Sequence, residues 1–133
     1  MSSPTLTVLT SVGSLRQARR IARELVEQQL AACVHIAPIE SIYRWKGRLQ
    51  QQREFQLAMQ TSAARAAALK SALRALHPYE LPALYVVASA QADAPYARWV
   101  AQSCAPAGLP RSARRRAKGG TAQRPRRYAV RPR

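Results

Sequence analysis

The chain has 133 residues, 47% of them hydrophobic, with 22 Lys+Arg against 6 Asp+Glu for a net charge of +16. That length supports one compact domain. With no run of about 18 apolar residues, no basic-then-apolar leader after Met1-Ser2-Ser3-Pro4, and only Cys33 and Cys104 as cysteines, neither a membrane span, a secretory signal nor a disulfide framework is expected, and the composition points to a cytoplasmic protein with reduced thiols.

The first predicted element is a strand over Thr5 to Val12, in which Leu6, Val8 and Val12 share one face and Thr5, Thr7 and Ser11 the other. Gly13 ends it. Ser14 with Gln17 three residues later reads as a capping box, and Leu15, Ala18, Ala22, Leu25, Val26 and Leu30 recur at helical spacing behind it, with Arg16, Arg19, Arg20, Arg23 and Glu27 outward. Ala32 to Ile39 reads as a strand interrupted at Pro38 and continuing from Ser41 to Trp45, with a turn at Lys46-Gly47-Arg48 and a return strand from Leu49 to about Thr61. In the return strand Phe55, Leu57 and Met59 alternate with Glu54, Gln56 and Gln60, so the two strands form a long hairpin. Ser62 is the expected cap of a second helix carrying Ala66, Leu69, Leu73 and Leu76 and stopped by Pro78. Leu84 to Ala88 is a fourth strand, and Asp93 caps a short third helix with Pro95 in its first turn and Tyr96, Trp99 and Val100 on one stripe. The order β-α-β-β-α-β-α predicts an α+β, ferredoxin-like split βαβ sandwich: a four-stranded antiparallel sheet with the first two helices on one face.

Charge divides the chain. Residues 1–104 hold 12 Lys+Arg and all six acidic residues, a net of +6, whereas residues 105–133 hold ten basic residues and no acidic one. The second segment, rich in Arg, Ala, Pro and Gly with only Leu109, Tyr128 and Val130 as bulky apolar residues, cannot bury enough surface to offset its ordering entropy. A folded domain at 1–104 followed by a disordered basic tail at 105–133 is therefore expected. The tail's arginines suit non-specific contact with nucleic-acid phosphates; the same composition also follows from GC-rich codons read out of frame, with no function attached.

Candidate chemistry gathers at a few points. Cys33 and His35, two apart on a strand, face the same side about 6–7 Å apart at the backbone, close enough to share a soft metal such as copper; the alternative is a small buried thiol beside a polar neighbour. In His77-Pro78-Tyr79-Glu80-Leu81-Pro82, His77 and Glu80 offer a second imidazole and a carboxylate, or else simply end a helix. Tyr43-Arg44-Trp45-Lys46-Gly47 sets aromatic and basic groups near the hairpin tip, for packing or base stacking. No Gly-x-Gly-x-x-Gly, P-loop, Gly-x-Ser-x-Gly or His-Glu-x-x-His occurs, and paired carboxylates are hard to assemble, with Glu54 and Glu80 the only ones of interest. An RNA-recognition motif would require aromatic residues along its third strand, where Phe55 stands alone. Nothing in these residues suggests an enzyme.

Four stretches together are distinctive: Leu30-Ala31-Ala32-Cys33-Val34-His35-Ile36, Ser41-Ile42-Tyr43-Arg44-Trp45-Lys46-Gly47, His77-Pro78-Tyr79-Glu80-Leu81-Pro82 and Tyr96-Ala97-Arg98-Trp99. In order and spacing, over about residues 5–104, they resemble the signature stretches of the CutA divalent-cation tolerance family. The resemblance implies a PII-like, ferredoxin-fold protomer that assembles as a homotrimer through strand pairing, and a non-catalytic role in tolerance or response to copper or another divalent cation, with no organic cofactor. It makes Cys33 and His77 candidate metal ligands, with Glu80 in the same stretch and His35 standing where the family usually has Asn. Tyr43, Trp45, Tyr79, Tyr96 and Trp99 become structural or pocket-lining aromatics. Gln60-Thr61 replaces the usual Lys-Thr. The alternative is a PII-like module that binds a small ligand and signals through a partner. The tail beyond Cys104 has no counterpart in the family pattern.

Overall fold

A computed structural model describes residues 4–105; the three residues before them and residues 106–133, nearly all of the predicted tail, lie outside the described residues. Strand β1 (Thr5–Val12) leads into helix α1 (Leu15–Glu27), the hairpin strands β2 (Cys33–Trp45) and β3 (Arg48–Ser62), a 3-10 turn (Ala63–Arg65), helix α2 (Ala66–Leu76), strand β4 (Tyr85–Ala88) and helix α3 (Ala94–Ser103). The four strands form one antiparallel sheet in the order β2-β3-β1-β4. This is the split βαβ arrangement, with the hairpin on one side and the short β4 on the other.

The core follows from strand and helix periodicity. Val8 and Val12 of β1 and Leu57 and Met59 of β3 point to the same side, and all four are fully buried against Ile21 and Leu25 of α1 and Leu69 and Leu73 of α2. At about 1.5–3 kcal/mol per fully buried large aliphatic side chain, this layer is the main source of stability. The opposite sheet face carries Thr7, Leu9 and Ser11 of β1, Gln56, Ala58 and Gln60 of β3, and Cys33, His35 and Ala37 of β2.

Local chemistry refines several boundaries. Ser14 caps α1 by accepting the Gln17 backbone N–H at 3.1 Å. The helix stops at Glu27, before Leu30: Gln29 adopts φ 59°, its N–H donates to the Val26 carbonyl at 3.0 Å, and the Leu30 N–H donates to the Leu25 carbonyl at 3.0 Å. These paired bonds form a Schellman motif with Gln where Gly is usual, and Leu30, itself buried, sits against the turn it closes. Pro38 does not interrupt β2, because β2 is an edge strand, where a residue without an N–H is tolerated, and the ladder continues through Pro38 opposite Phe55. Lys46 (φ 52°) and Gly47 (φ 77°) make a two-residue turn between the paired Trp45 and Arg48, so Arg48 already belongs to β3. Ser62 precedes the 3-10 turn rather than α2, and neither it nor Asp93 forms a side-chain cap hydrogen bond.

Candidate functional site

Cys33 and His35 begin β2, on the strand parity that faces away from α1 and α2, with Gln60 opposite Cys33 and Ala58 opposite His35. Cys33 Sγ lies 3.6 Å from His35 Nε2. Cys33 is half-buried and His35 exposed, so the pair is reachable from solvent in the protomer. Beside it, Gln60 Oε1 accepts a hydrogen bond from Thr7 Oγ1 at 3.0 Å, which fixes the amide where the family pattern would place a lysine. Tyr96, whose ring centroid is 5.8 Å from that of Trp99 on α3, also lies near this corner. Burial pushes the Tyr96 phenol up from its ordinary value, and the Cys33 sulfur adds to the shift. A polarizable sulfur and an imidazole nitrogen in contact form a donor pair for a soft or borderline cation.

His77 and Glu80 are not part of that pair. His77 is buried where α2 ends, its Nε2 2.9 Å from Thr10 Oγ1 and 3.1 Å from the Ser11 carbonyl, while Nδ1 accepts the Tyr79 N–H at 3.1 Å. An accepting Nδ1 assigns the proton to Nε2, which then donates toward Ser11, so both nitrogens are engaged. Thr10 has the opposite strand parity to Thr7, so His77 packs on the helix side of the sheet and Cys33 on the other. Glu80 is exposed. Of the four candidate ligands, the fold therefore brings together Cys33 and His35, and no cluster of three or more His, Cys, Asp or Glu suited to a metal occurs among the described residues. Tyr43, whose hydroxyl donates to Gln52 Oε1 at 3.0 Å, and Trp45, with Lys46 Nζ 5.9 Å from its ring centroid, stand at the distal end of β2, about 33 and 40 Å from Cys33 along an extended strand.

A second polar constellation escaped the sequence reading. Glu54 is fully buried, although it lies on the polar parity of β3, and its carboxylate accepts hydrogen bonds from Ser41 Oγ (2.7 Å), Ser11 Oγ (3.4 Å) and Tyr79 O–H (2.9 Å). Tyr79 reaches it by passing Gly13, where a Cβ would stand 3.2 Å from the phenol oxygen. The polar chain thus runs Thr10–His77–Tyr79–Glu54–Ser11/Ser41 and ties the α2–β4 loop to the sheet. Such a network orients and rigidifies; the only sequence signal for it was a carboxylate among glutamines, and nothing local pairs residues 54 and 79.

Comparison with known proteins places this geometry among relatives. The family model described as CutA1 divalent ion tolerance protein matches residues 6–103. The divalent-cation tolerance protein CutA of Thermus thermophilus is 39% identical over 97 residues, spanning 72% of this chain and 94% of that protein. Human protein CutA is 40% identical over 86 residues, 64% of this chain and 48% of that protein; with the Xenopus laevis CutA homolog, matched over 56% of its length, it shows that the chain spans about half the length of these longer relatives. Among solved structures, CutA from Synechococcus elongatus superposes with a TM-score of 0.75 at 33% identity, covering 79% of this chain and 95% of that one. The Archaeoglobus fulgidus protein, named a periplasmic divalent cation tolerance protein, superposes with a TM-score of 0.73 at 28% identity, covering 75% and 98% of the two chains.

Proposed function

The chain belongs to the CutA1 divalent ion tolerance family, and from that premise we propose that it is a non-catalytic protein that takes up copper or another soft divalent cation through Cys33 and His35. The observation that carries the reading is the 3.6 Å separation of Cys33 Sγ and His35 Nε2. A tetrahedral ion with metal–sulfur and metal–nitrogen bonds of about 2.3 and 2.0–2.1 Å needs its two donors about 3.6 Å apart. A metal takes the thiolate and a free imidazole nitrogen, so uptake through this pair would release protons. His77 and Tyr79 hold the α2–β4 loop in this reading instead of ligating.

Two donors leave a cation's remaining positions to water or to further copies of the chain, which accords with a homotrimer. Support comes from the two open sheet edges, β2 and β4, and from Tyr85, Val86 and Val87 on β4, which are 52%, 37% and 49% exposed. Apolar edge strands of this kind call for cover. Free Cys33 and Cys104 accord with a reducing cytoplasm. A second reading, a PII-like module that binds a small ligand and acts through a partner, draws on the exposed Tyr96–Trp99 pair beside Cys33.

Native mass spectrometry of the reduced protein during stepwise copper and zinc addition tests both readings. Trimers carrying discrete metal adducts that disappear in Cys33→Ala and weaken in His35→Asn are expected. A trimer with no more uptake than a control protein of equal histidine content sinks the metal reading and leaves the small-ligand module.

A further inference from the structure

Helix α1 carries Arg16, Arg19, Arg20 and Arg23, all exposed, at i, i+3, i+4 and i+7. They share an arc of about 100° and span about 10 Å of helix axis. This placement works against the helix. The stripe begins in the first turn, where the macrodipole is already positive and carboxylates are favoured, and that turn contains no acidic residue. Of the two acidic residues of α1, Glu24 is hydrogen-bonded to Gln28 Nε2 at 2.9 Å, and Glu27 follows Arg23 by four residues, past the C-terminal end of the stripe. The four guanidiniums and Gln17 instead surround a shallow depression of about 650 Å³. Four exposed arginines on one arc that starts at the positive end of the helix dipole break a local rule and point to a use outside the fold.

We propose that this face of α1 binds the phosphate backbone of duplex nucleic acid without reading sequence. Spread over about 10 Å of axis and an arc of about 100°, the four arginines can reach several neighbouring phosphates, and each guanidinium can hold one bidentately. Ala18, Ile21, Ala22 and Leu25 of α1 are buried in the core, which leaves only Val26, 40% exposed, and part of Leu15 as apolar surface, far less than the apolar face of a membrane-surface helix. Guanidiniums committed to phosphates fix position without reading bases, and Gln17 is the one amide beside the stripe that could meet an adenine edge. The net charge of +6 over residues 1–104 favours the approach of a polyanion. The surface is independent of the Cys33–His35 pair.

The test is fluorescence anisotropy of the full chain with a labelled duplex DNA of arbitrary sequence, between about 50 and 200 mM salt. The variant Arg16→Gln/Arg19→Gln/Arg20→Gln/Arg23→Gln should keep its far-UV circular dichroism, lose at least about tenfold in affinity, and show a log K against log salt slope shallower by about 3.6, or 0.9 per phosphate released. Replacing the same four by Lys should keep the slope, which separates charge from a folding defect. A Gln variant that keeps the parental affinity and slope would assign all phosphate contact to residues outside α1 and overturn the proposal. So would a parental chain that binds phosphatidylserine vesicles but not the duplex at equal salt, or one that binds neither.

Discussion

Tyr79 O–H donates to Glu54 Oε2 across 2.9 Å, which joins the loop after α2 to the middle of β3 and closes the sheet end around Gly13. Because Glu54 is fully buried, its carboxylate depends on the hydroxyls around it in place of water. Tyr79→Phe keeps the ring and removes one donor to a buried carboxylate, so a loss of about 1.5–3 kcal/mol in urea unfolding is expected. Ser41→Ala should cost less alone and combine non-additively with Tyr79→Phe, since both donors serve one carboxylate. A Tyr79→Phe cost within about 0.5 kcal/mol of zero, the range of ordinary surface changes, would show that the network contributes no stability.

Gln29 offers a gain. It holds φ 59° at the C-terminal turn of α1, and its Oε1 is buried with no hydrogen-bond partner among the described residues. Left-handed backbone costs a side-chain-bearing residue about 1–2 kcal/mol that Gly escapes. Gln29→Gly should therefore stabilise the protein, by about 0.5–1 kcal/mol once the greater freedom of Gly in the unfolded chain is subtracted. Thermal unfolding followed by circular dichroism would show a higher midpoint; a lowered one would mean that packing of the Gln29 stem outweighs backbone strain.

These two sites also mark where sequence patterns stop being informative. Val8, Val12, Leu57 and Met59 were legible because strand parity alone sends them to one face, and Ser14 because a cap acts on the residue three places on. The Schellman turn at Gln29 was not, since the usual Gly is absent and Leu30 continues the apolar periodicity past the helix end. Pro38 looked like a break because edge position, which makes it harmless, is a property of the assembled sheet. Cys33 and His35 meet on one face because they stand two apart on a strand, whereas the placement of His77 depended on which side of the sheet the α2–β4 loop reached. Glu54 illustrates the general case: its three hydroxyl partners come from β1, β2 and the α2–β4 loop, and only the fold brings them together.

Cys104 links stability to alkaline pH. Burial pushes its thiol above the ordinary value of 9.0, against the opposing effects of the Thr61 hydroxyl, Arg65 and the Ser62 backbone. The folded state thus keeps a proton that the unfolded chain surrenders at lower pH. The sign follows: this contribution is fully present below the unfolded value and is lost as pH rises through it toward the folded one. Urea unfolding of the parent should weaken as pH climbs past about 9, and Cys104→Ala should weaken less over the same interval. Parallel pH profiles for the two proteins would remove Cys104 as the source.

Thiol chemistry separates the two cysteines and reports on the proposed metal pair. Cys33 is half-buried and in contact with an exposed imidazole, while Cys104 is fully buried and its ionisation is disfavoured. Since the thiolate is the reactive form, a disulfide reagent at neutral pH should modify one cysteine of the folded chain rapidly and the second only on unfolding. The fast reaction should vanish in Cys33→Ala, and copper or zinc should slow it by tenfold or more in the parent by occupying the same sulfur lone pairs. His35→Asn should blunt that protection, because the partner donor 3.6 Å away is removed while the thiol stays. Metal that leaves the Cys33 rate unchanged would mean that this sulfur is not a ligand, whatever cation the protein takes up elsewhere.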